Sequence, residues 1–190
     1  LTLPSYQRGD PWLLAGMYDL SGKLNFQLRD NSRLFLSTYL GDDLWGTKQR
    51  SSGGERGTTL LSWGNKTVSA RYIKAYSPAL FGQSMLNFND FTYRVSVRSY
   101  SPGRSERAVR FASGIREVTA RQWFTWNAAL SHTLHFGLEA ALPVFRPSDV
   151  SLTHDGKPLA ASRATGRRVH AFSGALFLEE EWSPSPAWQF

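Results

Sequence analysis

The sequence has no cysteine, only two methionines, and no apolar run near the ~18 residues a transmembrane helix requires. Without cysteine there is no disulfide framework and no thiolate chemistry. Helical periodicity is scarce too, which argues against an α-helical bundle. Residues 1–20 show no basic segment leading into an apolar one, so they do not read as a secretory leader. The opening "LTLPSYQRGDPW" begins in mid-phrase and predicts either a mature chain or a piece of something larger.

What is present is aromatic and basic. Aromatics make up 14% of the chain, with Trp 7, Tyr 7 and Phe 12, and the net charge is +7. An excess of that size raises the question of nucleic acid or anionic surfaces. The cations are scattered, however: Lys48, Arg50 and Arg56, then Arg94 and Arg98, then Arg104, Arg107 and Arg110, then Arg163, Arg167 and Arg168. That distribution over loops and strand rims argues against a nucleic-acid partner.

Two-residue periodicity runs through the whole chain. In "YDLSGKLNFQLRDNSRLFLSTYLGDD", Leu20, Gly22, Leu24, Phe26 and Leu28 share one face of an extended strand, and Asp19 to Arg29 share the other. Seven strands are predicted, at about 16–29, 33–41, 59–76, 81–99, 109–126, 133–146 and 169–182, with an eighth stub at 187–190. Turn chemistry marks tight connections at Asp30-Asn31-Ser32, Ser77 to Leu80, Asn127 to His132 and Ser183 to Pro186. The connections between them, 42–58, 100–108 and 147–168, are longer. Short and long alternate, as in an up-and-down meander with all its tight turns at one end.

Several strands are longer than the 3–10 residues usual in globular sheets. One face is aliphatic, while the other carries Lys23, Arg94, Glu117, Arg121 and Glu139. Tyr18, Tyr76, Tyr93, Trp126 and Trp182 fall near strand ends, where interfacial aromatic girdles lie. An all-β, antiparallel up-and-down transmembrane β-barrel segment accounts for these features together. A soluble β-sandwich or β-barrel binding protein remains open from the pattern alone.

The residues also carry a resemblance. The opening hairpin resembles that of TonB-dependent outer-membrane transporters, particularly the Bacteroidetes type with a carboxypeptidase-like regulatory domain. "SWGNKTVSARYIKAYSPALFGQSMLNFNDFTYRVS", "FASGIREVTARQWFTW", "SHTLHFGLEAALPVFRPS" and "ALFLEEEWSPSP" are similar to the hairpins that follow there, in order. The resemblance implies a bacterial outer-membrane location and a barrel of about 22 strands. Residues 1–190 would then be a partial barrel domain, with the plug domain and the barrel C-terminus outside this chain, and Phe190 reads as a truncation point. The implied partners are the lipid bilayer, the protein's own plug, the TonB energy-coupling protein and an unknown scarce solute under active transport. A passive barrel, either a porin or an adhesin scaffold, is the alternative.

Candidate chemistry is sparse. His132, His135, His154 and His170 lack zinc-site spacing; His135 and Glu139 sit about 13 Å apart along a strand, too far to share a metal. Glu179 and Glu181 are expected on the lumen side with Glu180 opposite, which suits structural contacts better than acid–base work. No catalytic, metal or cofactor site is predicted, and the chain does not read as an enzyme. Arg94, Arg98 and Arg121 are expected to project inward as a lumen patch. Asp42, Asp43 and Trp45 are expected to capture solute from a long loop. Phe35 and Tyr39 stand on the polar side beside Arg33 and Ser37 and need partners there.

Overall fold

A computed structural model describes residues 2–3, 12–51, 53–103, 106–159 and 166–183. Ten strands follow in chain order: β1 (Thr2–Leu3), β2 (Trp12–Gln27), β3 (Ser32–Arg50), β4 (Arg56–Ala75), β5 (Leu80–Tyr100), β6 (Arg107–Ala129), β7 (His132–His154), β8 (Lys157–Pro158), β9 (Val169–His170) and β10 (Ser173–Trp182). They form one antiparallel sheet in the order β1-β2-β3-β4-β5-β6-β7-β10, with β8 and β9 also pairing with β7. Seven strands are long, as the alternation predicts. The stub at 187–190, Phe190 and Pro184 to Pro186 lie outside the described residues.

The largest extensions beyond the expected lengths, in β3 and β7, are at the long-hairpin end. Predicted loop 42–58 is mostly ladder, because β3 runs to Arg50 and pairs there with Arg56. Likewise β7 runs to His154, well into the predicted 147–168 connection, before turning on Asp155 and Gly156 into β8. Both turn residues have positive φ, 50° and 72°. "DG" between extended segments is a strong hairpin signal. Conversely, the predicted strand 169–182 breaks at Ala171 and Phe172, although Ala171 N–H still donates to the Pro143 carbonyl at 3.0 Å.

At the other end the turns are tight. Asp30 and Asn31 both adopt the left-handed conformation, φ 60° and 54°. This matches the twist of the flanking strands, and Asp and Asn tolerate it better than most residues. Ser32 Oγ donates to the Arg29 carbonyl at 2.8 Å and closes the turn.

The sheet is a single layer without a core of its own. Ala141 is the only buried hydrophobic residue among those described, and no large side chain is fully buried. Leu176 is 84% exposed and Leu178 74%. A surface of this kind needs an apolar environment or covering chain. Backbone approaches most closely at Gly137: an added Cβ would lie 2.3 Å from the Gln122 carbonyl oxygen and 2.8 Å from Trp123 Cα.

The first hairpin supplies a direct test of turn chemistry. Asp30→Val should lower stability by about 1–2 kcal/mol, since a β-branched residue is strained at positive φ, whereas Asn31→Gly should be neutral or stabilising. Urea unfolding of the two variants measures this. Equal loss in both would show that left-handed backbone does not set the hairpin.

Candidate functional site

Cross-strand register assigns every residue to one of two faces. One face, here the A face, carries Leu20, Leu24 and Phe26 on β2, paired with Leu40, Leu36 and Leu34 on β3. It continues through Val68, Ala70 and Tyr72 to Leu86 and Phe88, then to Val118 and Ala120, and finally to Leu138, Ala140 and Leu142. On β10 it takes Leu176 and Leu178. The B face at the same level carries Lys23, Asn25, Ser37, Arg71, Asn87, Thr119, Glu117 and Glu139. The A-face stretches Leu80 to Phe88, Val118 to Trp126 and Leu134 to Val144 run about nine to eleven residues and are apolar apart from the hydrogen-bonded pair Ser84 and Gln122. A tilted strand crosses a bilayer in that length. The tight-turn end of the band is aromatic: Tyr76 lies 6.1 Å from Phe124, which stacks on Phe136 at 5.3 Å. Trp126 and Trp182 extend the same rim, on the same face.

Beyond the band, toward the long hairpins, the two faces exchange polarity. The boundary is the row Lys66–Asp90–Arg116. Above it the A face carries Asp42, Arg94, Arg98 and Arg110 among Leu14, Leu44 and Leu60, while the B face becomes mainly apolar. One B-face row reads Ala15, Trp45, Leu61, Val95, Phe111 and Val150 across six strands. The row below reads Met17, Asp43, Trp63 and Tyr93. Six strands at about 4.8 Å spacing make this apolar wall roughly 24 Å wide. A bulge helps complete it: between the pairs Gly114↔Arg146 and Ala112↔Asp149, β7 has an extra residue. The shift brings Val150 and Leu152 onto the face of Phe111 and Val109.

This exchange corrects the expected grouping of the arginines. Arg121 lies on the B face opposite Glu139, and its Nε and Nη2 meet the two carboxylate oxygens at 2.7 and 3.0 Å. Arg94 and Arg98 lie on the A face with Leu86 and Phe88, as does Asp42, and so do not converge with Arg121. Arg94 approaches Asp42 at 3.9 Å, and Arg98 pairs with Glu106 at 3.2 Å. Asp42, Asp43 and Trp45, expected in a loop, lie in strand β3, with Asp43 and Trp45 on the B face. Tyr93, read as an interfacial residue, belongs to the B-face wall, where its ring meets Phe111 edge-on at 6.2 Å. The cause is a change in which parity is apolar: Leu86 and Phe88 give way to Phe91, Tyr93, Val95 and Val97 with no bulge between β4 and β5. Trp63, Leu61 and Phe111 were missed for the same reason. The signal was present as that switch from even to odd positions.

Other expected contacts find partners within the sheet. Phe35 lies under the Arg71 guanidinium at 4.6 Å, a cation–π contact between register partners. Tyr39 Oη donates to Asp19 Oδ1 at 2.5 Å. Glu179 and Glu181 share the B face and Glu180 the A face, where its carboxylate meets His132 Nδ1 at 2.6 Å. His135 lies 3.1 Å from Thr125 Oγ1 and 3.9 Å from Glu181. Among the described residues no three His, Asp or Glu side chains come together as a metal site.

At the boundary row Asp90 accepts from two arginines. Arg116 Nε and Nη2 donate to Oδ2 at 3.1 and 2.8 Å, and Arg146 donates to Oδ1. Arg146 reaches Asp90 by lying across Gly114, where an added Cβ would come 2.8 Å from Arg146 Nη2 and 2.5 Å from the Phe91 carbonyl oxygen.

An all-β, antiparallel, up-and-down sheet of this kind matches in fold a barrel fragment of a TonB-dependent receptor. Among solved structures the chain is similar to the ferric yersiniabactin uptake receptor FyuA from Yersinia pestis, with a TM-score of 0.62 and 10% identity. The match covers 95% of this chain and 28% of that receptor's length. No family model and no curated protein matches the sequence.

The two arginine sites should differ in weight. Asp90→Asn removes the charge of a mostly buried carboxylate shared by two arginines and should cost about 1–3 kcal/mol. Arg121→Ala removes an exposed pair and should cost under about 1 kcal/mol. Thermal unfolding of each variant ranks them, and an equal or reversed order would remove Asp90 as the anchor of the boundary row.

Proposed function

We propose that this chain is a wall segment of a TonB-dependent transporter, in a bacterial outer membrane, that takes up a scarce solute by active transport. The observation that carries the reading is the exchange of polarity between the faces. An apolar A face of bilayer height that turns polar toward the long hairpins suits strands rising from lipid into external water. A B face that is polar at bilayer level suits a lumen filled by water or a plug, because closure satisfies the backbone while the interior stays wet. The plug, the TonB energy-coupling protein and the remaining barrel strands belong to this reading as partners outside the chain. So does the Bacteroidetes-type ancestry suggested by the sequence resemblance.

On this reading the solute meets the B face above the boundary row. Trp45, Trp63 and Tyr93 form an aromatic wall there beside Asp43, and Arg121 with Glu139 lies lower, on the polar part of the lumen. Arg94, Arg98 and Asp42 face outward and do not touch solute. The wall is large enough to count as an interaction surface rather than scattered apolar exposure. A transport receptor as structural neighbour favours uptake over catalysis.

Because the chain has no cysteine, single cysteines report cleanly on the faces. A fluorophore at Leu86→Cys, Leu138→Cys or Leu176→Cys should be quenched by brominated lipid, and one at Asn87→Cys or Arg94→Cys should not. Quenching at Asn87 and not at Leu86 would reverse the faces and overturn the reading. Planar-bilayer recording of the full-length protein separates transporter from porin. A plugged transporter should show no steady conductance, whereas stable ohmic channels would favour the passive barrel.

A further inference from the structure

Above the boundary row, charge is divided unevenly between the faces. The A face carries Lys48, Arg50, Arg56, Arg94, Arg98 and Arg110. On the B face, β2 to β7 place no lysine or arginine from the row of Asp19, Gly41 and Asn65 up to that of Val97, Val109 and Leu152. Arg107 and Lys157 follow only at the hairpin tips. That stretch holds two carboxylates, Asp19 and Asp43, and neither has an ion pair among the described residues. Asp43 stands between Met17 and Trp63, with Tyr93 next across and Trp45 two residues along β3. One row below, the Tyr39 hydroxyl donates to Asp19 over Gly41, where an added Cβ would lie 2.7 Å from Asp19 Oδ1. That bond leaves the negative charge of Asp19 uncompensated. On the far side of Gly41, Asn65 Oδ1 is shielded from solvent and accepts no hydrogen bond among the described residues. At ~4.8 Å between strands and ~3.3 Å per residue, Asp19, Asp43 and Asn65 fall within about 10 Å of one another.

We propose that the solute is an organic cation, with an apolar body on Trp45, Trp63 and Tyr93 and an ammonium-type group against Asp43 and Asp19. The inference rests on the reading of the B face as the lumen of an uptake receptor, and it names the solute class. Charge complementarity carries it. A carboxylate or phosphate on this wall would meet two uncompensated carboxylates and no cation. An ammonium gains twice, by Coulomb attraction to the acids and by lying over indole and phenol faces. The unpartnered oxygen of Asn65 adds to the negative potential at the same place. The arginines of the A face do not offset it, because they point into external water, where salt screens a charge over about 8 Å. A neutral apolar solute would use the aromatic rings and leave both acids idle. Only a solute that is apolar and positively charged uses both.

The test uses the full-length protein in phosphatidylcholine nanodiscs, with empty nanodiscs as the control for partition into lipid. Three probes share one aromatic body: dansylcadaverine, which is a primary ammonium, its neutral acetylated form and its anionic succinylated form. Energy transfer from tryptophan to the dansyl group reports binding. The ammonium should bind about ten-fold more tightly than the anion, with the neutral form between them. Asp43→Asn, which breaks no ion pair, should reduce that preference about five-fold, and Asp43→Glu should keep it. Trp63→Ala should weaken all three probes together. Equal binding of the three forms, preference for the anion, or indifference to Asp43→Asn would each overturn the proposal. Binding of none of them would also overturn it, because the wall is then filled by the protein's own plug or loops. Brominated-lipid quenching at Leu86→Cys separates the two levels. If it is absent, the membrane-wall reading itself fails; if it is present without preference for the ammonium, only the solute class fails.

Discussion

The antiparallel backbone ladder is the interaction on which this structure depends. A single-layer sheet has no second layer to bury its side chains, so each strand is held chiefly by the strands beside it. The register runs unbroken from β2 through β5 into β6, and the shifts in the described ladder lie between β6 and β7. Because side chains alternate strictly, a register slip of one residue would move a whole strand's apolar set to the wrong face. Turns such as Asp30-Asn31 and close approaches such as Gly137 matter because they fix that register.

Given the ladder, the environment decides which residues each face carries. Below the Asp90 row the A face is aliphatic and the B face polar, and above it the B face becomes mainly apolar while the A face gains Asp42, Arg94, Arg98 and Arg110. Neither half could be covered by a conventional core, since the apolar patches lie on opposite sides of the sheet. On the proposed reading, the reversal suits strands that rise from lipid into water and present their inner surface to different contents at different heights. Asp90, held by Arg116 and Arg146, stands where one regime meets the other.

Much of the fold was legible. Alternation in "KLNFQL" and "HTLHFGLEAAL" marks strands because a half-buried strand has a period of two, and Asp30-Asn31 and Ser77 to Leu80 mark turns by their chemistry. Strand extent was less legible, because Gly41 to Arg50 mix charge and aromatics in a way that resembles a loop until β4 is seen pairing with them. The Asp155-Gly156 turn was a readable signal that the strand pattern alone did not use. The candidate site was least legible. Asp42, Asp43 and Trp45 were read as loop residues although they lie in β3, and Arg94 and Arg98 were grouped with Arg121 on the assumption that one parity stays apolar along a whole strand.

The sequence by itself determined the class of structure: extended strands, tight turns at one end, and an aliphatic stripe that calls for an apolar surrounding. These are local properties, written in the alternation and turn chemistry of each segment. Only the tertiary structure decided which side each charge takes. Alternation along β5 puts Arg94 on the face of Leu86, but that Arg121 takes the opposite face is set only by the register of β5 with β6, where Arg94 stands opposite Ala112 and Met85 opposite Arg121.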